Sequence, residues 1–180
     1  FLNQNKIMPL TVNAAASCKN IFVILNYTST QTQTFSLDVT DGTSSILSVP
    51  NPTFTIPPNS GPISYPIPLS DLSISNGVVN VVISLQGTAY DEQAVLIHCD
   101  IDCCLSKLTN ELITCSCDCA KCASSLAKAQ KVFLLLKSAD YAIVQSNDAV
   151  SGLKAGFLQD AISKYLKAKE VCDDSCGCNC

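Results

Sequence analysis

Gln93-Ala-Val-Leu-Ile-His-Cys99, followed at once by Asp100-Ile-Asp-Cys-Cys-Leu-Ser-Lys-Leu108-Thr-Asn-Glu-Leu112, is where this chain changes its period. Up to Cys99 the residues form a short apolar run of the kind that makes a buried strand. Beyond it, Ile101, Cys104, Leu105, Leu108 and Leu112 recur at i, i+3, i+4, i+7 and i+11, which marks one face of a helix. Asp100 and Asp102 sit at the end of that helix where the macrodipole favours anions. The chain is therefore β before this junction and α after it, an α+β protein of two domains, 1–98 and 99–180.

Upstream, Lys19–Tyr27 and Gly77–Leu85 are apolar runs rich in β-branched residues and bounded by polar turns. Shorter candidates lie between them. Thr34–Val39 puts Phe35, Leu37 and Val39 on one face, and Thr53–Ile56 and Ile63–Ile67 follow. Pro50, Pro52, Pro57, Pro58, Pro62, Pro66 and Pro68 punctuate this middle stretch. Proline cannot donate to a ladder, so these strands belong at sheet edges or are broken. Six or seven such strands, with Asn76-Gly77 before a late one, predict an immunoglobulin-like or fibronectin-like β-sandwich. Cys18 and Cys99, flanking the set, are either a pair across the sandwich or two separate buried thiols.

Downstream, a second helix over about 122–145 carries Leu126, Ala129, Phe133, Leu136 and Ile143, widened by Val132, Ala139 and Ala142. Ser146-Asn147-Asp148 stops it, and Gly152 and Gly156 mark a loop. A third helix over about 157–171 buries Leu158, Ala161, Ile162, Tyr165 and Ala168. Short connections make these three helices an up-down-up bundle. Ala161, Tyr165 and Ala168 have the spacing of the second helix of a tetratricopeptide repeat, but no 34-residue period is present, so a single hairpin is expected.

All of the twelve cysteines except Cys18 lie from Cys99 onward, and eight fall into two groups: Cys115, Cys117, Cys119, Cys122 and Cys172, Cys176, Cys178, Cys180. An antiparallel hairpin brings the two groups to one end of the bundle. There they are disulfide-linked, bound to zinc through four thiolates, or packed as free thiols. Cys119-x-x-Cys122 and Cys172-x-x-x-Cys176 are the better zinc half-sites. The Cys-x-Cys pairs are too tightly spaced to bridge themselves and favour partners in the opposite group. On the first helix, Cys104 reads as a small apolar core residue and Cys103 as the one able to reach a partner.

Several functions are disfavoured. A net charge of −4 with no arginine offers no basic face to nucleic acid. No run of eighteen apolar residues spans a membrane. The lone histidine, His98, has no nucleophile motif around it, so no enzyme is expected, although Cys119-Ala-Lys-Cys122 at a helix start keeps a thiol-based metal-binding or redox module as the alternative. Asn13-Ala14-Ala15-Ala16 is preceded by no apolar core and is not a signal cleavage site. Met8 is a candidate natural start, and the Asn26-Tyr27-Thr28 sequon reads as a chance match on a strand.

A proline-punctuated sandwich with Asn76-Gly77-Val78-Val79 before its late strand, then Cys99-Asp-Ile-Asp-Cys103-Cys104 and a cysteine-flanked helical hairpin, resembles small virion structural proteins of tailed bacteriophages. The resemblance covers most of the chain and implies a tail, neck or capsid-surface subunit located in the virion. Such a subunit works by contact with other structural proteins or with itself. The resemblance assigns no functional residue.

Overall fold

The computed structural model describes residues 10–49, 52–114 and 119–176. Seven strands precede three helices: β1 (Leu10–Ala16), β2 (Asn20–Tyr27), β3 (Gln33–Thr40), β4 (Thr53–Ile56), β5 (Ile63–Pro68), β6 (Gly77–Leu85), β7 (Thr88–Ile97), α1 (Cys99–Thr114), α2 (Cys119–Asp148) and α3 (Ser151–Cys176). A 3-10 turn, Leu69–Asp71, separates β5 from β6. The chain divides into two compact units. The first comprises residues 1–74 and 79–95, the second 75–78 and 96–180.

In the first unit the strands form two sheets, ordered β1-β2-β5 and β4-β3-β6-β7. Period-2 alternation explains which side of each strand is buried. Ile21, Val23, Leu25 and Tyr27 of β2 point inward, as do Phe35, Leu37 and Val39 of β3 and Val79, Val81 and Ile83 of β6. The sheets meet through rings: Tyr27 on β2 lies edge-on to Phe35 on β3 at 6.1 Å, and Phe54 on β4 lies 4.7 Å from Tyr65 on β5. The proline-bearing β5 and the short β4 are edge strands, as the missing ladder donors require.

Two elements differ from the sequence reading. β1, Leu10–Ala16, pairs antiparallel with β2 from Leu10↔Tyr27 to Ala16↔Ile21. Its weak period, with only Leu10 and Val12 buried, is completed by pairing and not by its own composition. β7 starts at Thr88, five residues earlier than expected, because Gln86 and Gly87 (φ 51° and 78°) make a two-residue hairpin turn directly from β6. Positive φ at both positions is the geometry whose twist matches the flanking strands.

In the second unit, His98 and Cys99 do not continue the strand. The Asp102 N–H donates to the His98 carbonyl at 3.0 Å, and the Asp100 N–H donates to Asn76 Oδ1 at 3.2 Å. A side chain 24 residues upstream thus satisfies one of the donors that every helix start leaves open. α2 and α3 pair along seams that repeat every 3.5 residues. The buried residues of α2 are Ser125, Val132, Leu136, Ala139, Ala142, Ile143 and Ser146, and those of α3 are Ala161, Tyr165, Ala168 and Cys172. That spacing is the antiparallel coiled-coil seam, and its small residues let the helices approach closely.

Two expectations are corrected. Leu126, Phe133 and Ile162 are 46%, 50% and 41% exposed instead of buried, because a 3.5-residue seam leaves them on the flanks. Gly152 and Gly156 lie inside α3, whose first turn follows α2 after only Ala149 and Val150. Seam residues from Leu158 on hold that helix despite the propensity cost of about 1 kcal/mol per glycine. α1 spans 16 residues against 30 and 26 for α2 and α3, so it covers only the end of the hairpin away from the turn.

Candidate interaction surfaces and the cysteine-linked helices

The start of α1 is a hub of cross-links. Cys99, Cys103 and Cys104 are all disulfide-bonded, as are Cys18, Cys122 and Cys172. Cys104 pairs with Cys172 across a sequence separation of 68, with Cα atoms 5.8 Å apart. Reading Cys104 as a mere apolar filler was therefore wrong: its i, i+4 position aims it into the core, and α3 presents Cys172 there. Both sulfurs lie in side chains that are almost wholly buried. Cys172, one of the second group of cysteines, is thereby joined to α1.

Of the eight grouped cysteines, Cys115, Cys117, Cys178 and Cys180 lie outside the described residues. Cys119 opens α2 and Cys176 closes α3. With Cys122 and Cys172 oxidised, each of the zinc half-sites read from the sequence has one sulfur committed to a disulfide. Among the described residues no group of three or more His, Cys, Asp or Glu side chains is arranged to hold a metal.

Polar contacts lock the three helices in register. Tyr165 on α3 donates its hydroxyl to Asp100 Oδ2 at 2.9 Å, and Lys169 Nζ stands 3.6 Å from the same oxygen. Burial first, then the bond to Asp100 and the charges of Asp100 and Asp173, push the Tyr165 hydroxyl well above its ordinary range. Further along α1, Ser125 of α2 donates to Glu111 Oε2 at 3.0 Å. A cleft of about 250 Å³ opens beside these groups, lined by Asn76, Asp100, Ile101, Lys169, Cys172 and Asp173. It is smaller than the roughly 300–1,000 Å³ of ordinary ligand pockets. Of its lining carboxylates, Asp100 is already engaged by Tyr165 and Lys169.

His98 sits between two carboxylates, Nδ1 3.1 Å from Asp102 Oδ2 and Nε2 3.9 Å from Asp140 Oδ1. Lys137 Nζ approaches the other oxygen of Asp140 at 3.3 Å. This cluster ties the start of α1 to the middle of α2. In the first unit, Asp41 organises the turn after β3: its Oδ1 accepts from the N–H groups of Thr43 and Ser44, both at 2.8 Å, and from the Thr43 hydroxyl. The backbone bond from Ser44 and those from Thr43 lower its carboxyl to about 2.

The surface is unusually apolar on the helices. Leu126, Phe133, Leu134, Tyr141, Val144, Val150, Leu153, Ile162 and Leu166 are all exposed, most on a hairpin that runs past the end of α1. Of these, Leu126, Phe133 and Ile162 are expected in the core from the sequence, which makes no assignment for the other six. Only the 3.5-residue seam, traceable through Ala139, Ala161 and Ala168, could have sorted them. The sheets contribute β1 and β7 as further edges, of which β7 carries Asp91 and Glu92 and β1 carries no charge. No described helix is long and apolar enough to cross a membrane. Comparison with protein-family models and with curated proteins found no match.

Proposed function

We propose that the chain is a non-catalytic assembly subunit, a virion component of tailed-bacteriophage type placed at tail, neck or capsid surface, that works by contact with other structural proteins and with itself. The observation that carries this reading is the number of large exposed apolar side chains on a disulfide-braced hairpin. Soluble monomers seldom leave contiguous apolar patches beyond a few hundred Å² uncovered. The uncharged edge strand β1 is a second invitation to pairing.

The sheets fit an Ig-like or fibronectin-like sandwich. Because β4 pairs with β3 and not with the β1-β2-β5 sheet, the fibronectin-like half of that reading is favoured over the immunoglobulin constant arrangement. The absence of arginine and the net charge of −4 speak against a nucleic-acid partner. Engagement of His98 by two carboxylates supports a structural role for the only imidazole.

The test is fractionation of particles from cells that make the chain. Co-sedimentation with particles in fixed stoichiometry is expected. A chain that stays at the top of the gradient as a monomer and turns over a thiol or disulfide substrate replaces this reading with the redox alternative.

A further inference from the structure

The outer side of α2, opposite its seam with α3, carries Leu134 and Tyr141 one heptad apart, 67% and 65% exposed, with Val144 beside them and Phe133 at the edge. Lys131 stands at one end of this strip and Asp148 at the other, both exposed. We propose that this face is a self-association surface, on which the α2 helix of a second copy lies antiparallel about a two-fold axis, Leu134 of each chain opposite Tyr141 of the other. The proposal rests on the assembly reading and names its partner.

Area and charge both select a second copy. The four apolar side chains expose on the order of 450 Å², a little over half of the roughly 800 Å² that each partner buries in a standard interface. That is the apolar share such interfaces have, with the remainder supplied here by Lys131, Lys137, Ser138 and Gln145. The charges of α2 are ordered against its own macrodipole, with no acid in the first turn and no base in the last. Among the described residues Lys128, Lys131 and Asp148 form no ion pair within α2 or with α3. If Leu134 faces Tyr141 of the second copy, position 131 faces position 144 and position 127 faces position 148. Lys131, one helical turn from position 127, then comes within reach of Asp148 of the second copy, and the symmetry makes the same contact twice. An isologous interface needs this self-complementarity, and no unrelated partner would require it.

Analytical ultracentrifugation of the full oxidised chain decides the matter. The wild type is expected to sediment at twice the 19.1 kDa of one chain. Leu134→Glu/Tyr141→Glu is expected to weaken the dimer at least tenfold, with helicity unchanged because both residues lie on the surface. Lys131→Asp weakens it, and adding Asp148→Lys to the same chain restores it. A dimer unaffected by the double glutamate variant, or a Lys131→Asp loss that Asp148→Lys does not rescue, overturns this face and its register while leaving assembly intact. A wild type that stays monomeric at about 1 mM overturns self-pairing, and particle fractionation then judges assembly on its own.

Discussion

The two units are stabilised by different means. In the sheets, Ile21, Leu25, Val39, Val81 and Ile83 are fully buried and the core is aliphatic and aromatic throughout. Along the helical seam alanines and serines alternate with a few large residues, so each residue buries less apolar area. Disulfides and polar cross-bracing make up the difference. The lesson is that a long narrow hairpin encloses little core and leans on staples, whereas two facing sheets bury a larger apolar core between them.

The strongest way to break this contrast is to remove the staple. Cys104→Ala/Cys172→Ala opens a loop with a separation of 68 residues. The expected loss is up to about 4 kcal/mol. Hydrogen exchange should rise in α1 and the end of α3 and stay unchanged in β3 and β6. Equal deprotection of the strands would show that the units do not differ as argued. The converse is Ile83→Ala, a fully buried residue of β6. It should cost about 3 kcal/mol, read as exchange confined to the sheets.

Smaller effects sharpen the comparison. Tyr165→Phe removes the bond to Asp100 and should destabilise the helices by about 1–2 kcal/mol near neutral pH. The folded hydroxyl titrates above the ordinary value of 10.0, so this contribution is fully present below pH 10 and fades as pH rises toward the folded pKa. Chemical denaturation of wild type and variant should therefore converge in strong alkali. Gly156→Ala should stabilise α3 by about 0.5–1 kcal/mol. A Cβ there meets nothing within 4 Å, and a higher melting temperature is the readout.

The smallest effect concerns Asp41. Its folded carboxyl is lowered from 3.8 to about 2, so what it contributes is present above pH 3.8 and lost as pH falls toward 2. Asp41→Asn should flatten that part of the acid limb in a pH titration of sheet stability and leave the helices untouched.

Local structure was legible in consecutive residues. Period-2 alternation in Phe35, Leu37 and Val39 and the i, i+3, i+4 face of Ile101, Cys104 and Leu108 are written there, so the β-to-α change at the junction could be read without coordinates. The edge position of β5 was legible in Pro66 and Pro68 for the same reason: the missing donor is a property of the residue. Tertiary structure alone decided the pairing of β1, because Leu10–Ala16 becomes a strand only when β2 offers it a ladder. It also decided which helix the core-facing Cys104 joins, since Cys104 and Cys172 lie 68 positions apart and meet only because α1 and α3 run side by side. The exposed strip on α2 was hidden for a related reason. Helical periodicity says which residues share a face, but only the packed neighbour, narrow and alanine-lined, fixes how much of that face is covered.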